Sequence, residues 1–176
     1  MKKARWLLVA ALLALTASTA ALAAVNVKQL PTATFDGASV TVTGGNFSGL
    51  GNVPAFAVVT VSGLATYTCS NQGGNEAPGQ NPVPATGGSS PPVDLGNSDH
   101  NGRGTIPSIT TSVTAPPTPS PQVVGCGGKG SGNWTVTLHT LTATAAHLVI
   151  RQPVDGPIIF CRDYVAGGSN TGTPCP

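Results

Sequence analysis

One unbroken run, NWTVTLHTLTATAAHLVI from Asn133 to Ile150, alternates apolar side chains with hydroxyls along most of its length. A repeat of two belongs to the extended strand, whose successive side chains point to opposite faces. Trp134, Val136 and Leu138 share one face, and Leu141 and Ala143 fall on the other unless a bulge intervenes. A single strand of this length is unusual, so the pattern predicts a bend or hairpin near Thr142 to His147.

The same period recurs upstream and downstream. ATFDGASVTVT, from Ala33 to Thr43, reads as a strand with Val40 and Val42 on one face and Thr41 and Thr43 on the other. AFAVVTVSGLATYTC, from Ala55 to Cys69, reads as one strand or as two joined near Gly63. Its second part sets Leu64, Thr66 and Thr68 against Ala65, Tyr67 and Cys69. After a turn from Pro153 to Pro157, IIFCRDYV from Ile158 to Val165 is the last strand. Side chains that favour helix interiors thin out beyond residue 23, whereas the β-branched Val and Thr abound.

Between the strand-rich flanks, residues 70–122 change character. NQGGNEAPGQNPVPATGGSSPPVD and APPTPSPQ are crowded with Pro, which removes ladder donors, and Gly, which raises the cost of ordering. Neither flank alone is large enough for a well-buried core, so this stretch reads as a covering excursion within one domain spanning 24–176. A short strand or two is expected between Arg103 and Thr114. The whole predicts an all-β fold: an antiparallel β-sandwich, immunoglobulin-like being one topology that fits, with a long Pro/Gly-rich excursion and two disulfides.

Residues 1–23 have the order of a secretory signal peptide. Lys2, Lys3 and Arg5 precede the apolar run from Trp6 to Leu15, and small residues end in Ala21-Leu22-Ala23. A membrane anchor needs about 20 apolar residues, and Thr16, Ser18 and Thr19 dilute the run early. Cleavage leaves five basic against six acidic residues, a net charge of −1 with His neutral. A surface so sparsely charged offers no footprint for nucleic acid or for an anionic membrane. Export also decides the state of Cys69, Cys126, Cys161 and Cys175, since disulfides persist in oxidising compartments. Of three possible pairings, Cys69 with Cys126 would tie the strand-rich halves across the excursion, and Cys161 with Cys175 would pin the C-terminal stretch.

Motifs that could carry chemistry fall short individually. Asn97-Ser98-Asp99-His100-Asn101-Gly102 opens like a calcium loop, but Ser108 stands where the bidentate Glu belongs. A tight Asn-Gly turn is the expectation, with Asp94 and Asp99 the residues to watch for calcium. Gly125 to Gly132, GCGGKGSG, fails as a phosphate loop because Val123 and Gly130 occupy required positions. Ser48 and Ser131 lack the spacing of a nucleophile elbow. His100, His139 and His147 show no metal-ligand spacing, and Asp36, Glu76, Asp94, Asp99, Asp155 and Asp163 are scattered singly. A hydrolase would require a pocket that brings one histidine within hydrogen-bond reach of a carboxylate and of a Ser or Thr.

Among the aromatic residues Phe35, Phe47, Phe56, Tyr67, Trp134, Phe160 and Tyr164, most alternate with Val or Ile and read as core. Trp134, eight residues after Cys126, is expected to pack on a disulfide. A carbohydrate-binding module would instead expose two or more of Trp134, Tyr67, Tyr164 and Phe47 on one flat face.

Three stretches, TATFDGASVTVTGGNFSGLGNVPAFAVVTVSGLATYTCSNQGGNEAPGQNPVPA, VVGCGGKGSGNWTVTLHTL and QPVDGPIIFC, resemble a group of small secreted β-rich proteins of actinobacteria and similar soil bacteria. The resemblance implies export and a bacterial envelope or extracellular setting, and it carries over no catalytic residue. The expectation is a non-enzymatic structural, adhesive or interaction module without cofactor or metal, its partner an extracellular protein or glycan.

Overall fold

The computed structural model describes residues 25–97, 102–127 and 133–176, and each of its regular elements is a β-strand. In chain order these are β1 (Asn26–Asp36), β2 (Ser39–Ser48) and β3 (Phe56–Asn71), followed by four short pieces, β4 (Glu76–Pro78), β5 (Val83–Pro84), β6 (Gly88–Ser89) and β7 (Val93–Asp94). Then come β8 (Gly104–Ser112), β9 (Trp134–Arg151), β10 (Ile158–Val165) and β11 (Thr173–Pro174). One sheet has the order β1-β2-β8 and the other β11-β10-β9-β3, with the four short pieces along the free side of β3. All pairings are antiparallel, and the architecture is a β-sandwich. This strand order does not by itself define an immunoglobulin topology. The signal-like residues 1–23 lie outside the described residues.

Two local expectations need correction. The stretch from Ala33 to Thr43 is not one strand but the tip of the β1–β2 hairpin, where Asp36 pairs with Ser39 and only Gly37 and Ala38 lie between. A two-residue loop of this kind suits the twist of the flanking strands. The expected bend near Thr142 to His147 is not a chain reversal either. β9 runs on from Trp134 to Arg151, and its register against β3 slips twice, leaving His139 and Thr144 as extra residues. Each extra residue inverts the alternation, so Val136, Leu141, Ala143, Ala146, Leu148 and Ile150 all lie opposite inward positions of β3. At the second slip the chains approach so closely that a Cβ on Gly63 would sit 2.2 Å from the Thr142 carbonyl oxygen.

The Pro/Gly-rich excursion is an edge strand out of step. The carbonyls of Tyr67, Gly63, Val59 and Ala55 accept from the N–H groups of Gly79, Ala85, Ser90 and Leu95 at 2.7, 2.9, 2.8 and 2.9 Å. Five or six residues of the excursion thus match every four of β3, which is why its pairing breaks into fragments. Side chains complete what the backbone misses: Ser90 Oγ accepts from the Val59 N–H at 3.0 Å, and Asn97 Oδ1 from the Ala55 N–H at 2.8 Å. The excursion also reaches the other sheet, since Thr86 and Thr114 exchange both backbone bonds. A Cβ on Gly88 would lie 2.1 Å from the Ser112 carbonyl oxygen, so only glycine fits this crossing.

Both sheets feed one core, in which Val40, Val42, Phe47 and Ile106 meet Ala57, Val59, Leu148 and Ile150. A second cluster gathers Ala65, Tyr67 and Val124 around the Cys69–Cys126 bridge, with Trp134 packed against it as expected. The other bridge joins Cys161 to Cys175, so both expected pairings are found and no cysteine is free.

Candidate functional site

Cross-strand register on the outer face of the larger sheet brings Thr60, His147, Asp163 and Thr173 into one row across β3, β9, β10 and β11. His147 Nδ1 lies 2.6 Å from Asp163 Oδ1, with the two side chains 44% and 40% exposed. A carboxylate can only accept, so Nδ1 carries the proton, which in the neutral ring leaves the lone pair on Nε2. The imidazole lies against the Cys161–Cys175 bridge: Cys161 Sγ is 3.8 Å from Nε2, and Cys175 Sγ is 3.8 Å from Nδ1. An open hollow of about 240 Å³ adjoins the pair, lined by Thr60, Ser62, Ala145, His147, Asp163 and Val165. The Thr60 hydroxyl donates to the backbone carbonyl of His147 at 3.5 Å, not to its ring.

Beyond this row the outer face of β3 and β9 is lined with hydroxyls. Three successive cross-strand pairs, Thr66 with Thr140, Thr68 with Thr137 and Ser70 with Thr135, join two hydroxyl residues each. The Thr66 and Thr140 hydroxyls are bonded at 2.5 Å. The smaller sheet repeats the device, with Thr41 bonded to Thr110 at 2.9 Å and Ser39 to Ser112 at 2.7 Å. Facing pairs of this kind stiffen a sheet surface while leaving it polar and uncharged.

Other residues singled out in the sequence have structural tasks. Tyr67, Tyr164 and Phe47 are 3%, 1% and 2% exposed, so the flat aromatic face required of a stacking carbohydrate site does not form, and Trp134 is half-buried on its disulfide. Asn97 is fully buried, its Nδ2 donating to the Gly51 and Val53 carbonyls, and is therefore a brace where a calcium ligand was considered. Asp94 accepts from the Gly96 N–H at 2.8 Å and closes a turn. Asp99 and His100, like residues 128–132 of the glycine-rich loop, lie outside the described residues. His139 is the exposed extra residue of the first slip in β9.

The His147–Asp163 partnership was not anticipated, although a signal for it was present. Counting outward from Asp155, the centre of the Pro153–Pro157 turn, places His147 and Asp163 at equal distances and hence opposite each other in a hairpin. Fold and site together define a disulfide-braced all-β protein with a polar, hydroxyl-bearing exterior. No protein-family model matches the chain, and a search of the curated proteins finds no similar sequence.

Proposed function

We propose that the chain is an exported, non-enzymatic interaction module that holds an extracellular protein or glycan on the hydroxyl-lined face of β3 and β9. The observation that carries this reading is the run of three facing hydroxyl pairs, one of them bonded at 2.5 Å. Threonine hydroxyls donate and accept, carry no charge and lose little rotamer freedom on binding, which suits an uncharged polar polymer. Two disulfides support an oxidising compartment reached by way of the signal-like residues 1–23, in a bacterial envelope or the medium around it.

Residues 24–176 with both bridges formed are the material to test on arrays of glycans, cell-envelope polymers and secreted proteins. Retention on a partner, weakened tenfold or more by Thr66→Lys combined with Thr140→Lys, is the expected result. Binding that ignores these substitutions, or no binding to any class of partner, overturns the reading.

A hydrolase is the second reading, favoured by the histidine and carboxylate held at 2.6 Å beside Thr60 and Ser62. It stands behind the first because the one hydroxyl bond seen there, from Thr60, goes to the backbone. Turnover of ester or peptide substrates that disappears in His147→Asn would establish it in place of the first.

A further inference from the structure

The imidazole of His147 and the sulfurs of Cys161 and Cys175 place one ligand atom each within 4.8 Å of one another. In a tetrahedral zinc site, bonds of about 2.3 Å to sulfur and about 2.0 Å to nitrogen set neighbouring ligand atoms roughly 3.5–3.8 Å apart. Cys161 Sγ stands 3.8 Å from Nε2, whereas the ring nitrogen 3.8 Å from Cys175 Sγ is Nδ1, the one held by Asp163, so Cys175 must shift for both sulfurs to flank Nε2. The sulfur–sulfur separation must also open, because the two atoms are bonded to each other, and breaking that bond frees Cys175 to make the same shift. Asp163 on Nδ1 completes the carboxylate–histidine arrangement that orients a metal-binding imidazole and raises its basicity. The adjoining hollow leaves room for a fourth, exogenous ligand such as water.

The two bridges differ in access. Cys69 and Cys126 are 0% and 3% exposed, whereas Cys161 and Cys175 are only half-buried. A small reductant therefore reaches the second bridge first.

We propose that Cys161, Cys175 and His147 form a redox-gated site for a thiophilic divalent cation such as Zn²⁺, with Asp163 as the residue that positions the ring. A dithiol gives two electrons and two protons to the Cys161–Cys175 bond and becomes a disulfide; with a phosphine, water supplies the two protons and the oxygen of the resulting phosphine oxide. Binding of the cation then releases both thiol protons and forms two metal–sulfur bonds, with Nε2 as third ligand. Exchange with a small disulfide, which takes up the two electrons and two protons and leaves as two thiols, restores the sulfur–sulfur bond and expels the metal.

The test starts from protein treated with a phosphine until alkylation mapped by mass spectrometry finds Cys161 and Cys175 free and Cys69 and Cys126 bridged. After the reductant is removed, Zn²⁺ is titrated against a chromophoric chelator, and Co²⁺ is used to look for sulfur-to-metal charge transfer. One metal per reduced chain is expected, with none on the oxidised chain, and with the bound metal shielding both thiols from alkylation. Asp163→Asn should weaken binding about 10- to 100-fold, and His147→Asn should weaken it further. No metal uptake after reduction, equal affinity in His147→Asn, or a cobalt complex without charge transfer overturns the proposal. A Cys161→Ser/Cys175→Ser variant reports whether the fold outlasts the bridge, and its unfolding overturns the proposal as well.

Discussion

Asn97 shows how much one buried amide can hold. Its oxygen takes the Ala55 N–H at the start of β3, and its nitrogen ties down the carbonyls of Gly51 and Val53. Asn97→Ala leaves the Ala55 N–H buried without its acceptor, a loss of about 1–3 kcal/mol. Urea unfolding should register it as a lower midpoint at unchanged slope, and an unmoved midpoint would contradict the role. Tyr164 offers a second test. Burial pushes its hydroxyl up to about 12, against the opposing pull of the Arg162 charge. The folded state therefore keeps a proton that the unfolded chain releases near pH 10, so this contribution is complete below about pH 10 and is lost as the pH rises toward 12. Over that window the native chain should lose about 2–3 kcal/mol that Tyr164→Phe does not lose. Parallel slopes for the two proteins in alkaline unfolding titrations would refute it. At this scale the sequence was legible where a residue's own alternation decided its fate, as for Ala65, Tyr67 and Cys69 turned inward. It was opaque for Asn97, whose polarity suggested a surface turn and whose partners lie more than forty residues away.

Strands were easier to recognise than the joints within and between them. The period of two located β3, β10 and the long β9, because core packing on one face of a sheet enforces that period. It misjudged β9 internally, since a bulge and a hairpin both interrupt alternation and only the partner strand distinguishes them. It missed the first hairpin because Asp36-Gly37 sits inside an otherwise continuous run of strand formers. Gly63 is the residue to probe at this scale. Gly63→Ala forces a methyl group into the Thr142 carbonyl, so β3 and β9 must part at their second slip, at a cost of about 1–3 kcal/mol. Thermal unfolding should show a lower Tm, and hydrogen exchange should quicken first at residues 60–66 and 140–147. A variant as stable as the parent would mean that the bulge relaxes without cost.

For the whole molecule, the two bridges divide the labour of holding the fold. Cys69–Cys126 closes 57 positions and Cys161–Cys175 closes 14. Loop entropy alone makes the first worth about 1.2 kcal/mol more, with further loss from the core that surrounds it. Cys69→Ser with Cys126→Ser should therefore lower Tm more than Cys161→Ser with Cys175→Ser, and equal losses would show that chain restriction is not what these bridges supply. The order of the strands along the chain favoured these pairings among three possible ones without fixing them. The sheet order could not be read there, because it depends on long-range register, and the place of Thr60 beside the His147–Asp163 pair was hidden for the same reason, whereas that pair follows from a local hairpin.

The proline-studded border along β3 also governs how copies of this molecule treat one another. Pro78, Pro82, Pro84, Pro91 and Pro92 present no amide hydrogens, so a neighbour's backbone cannot zip onto that margin as it could onto a bare strand. Excising residues 76–94 would strip the hem from the fabric, and light scattering should then detect clumping in a solution that otherwise stays clear; a clear solution of the shortened chain would show that the hem guards nothing.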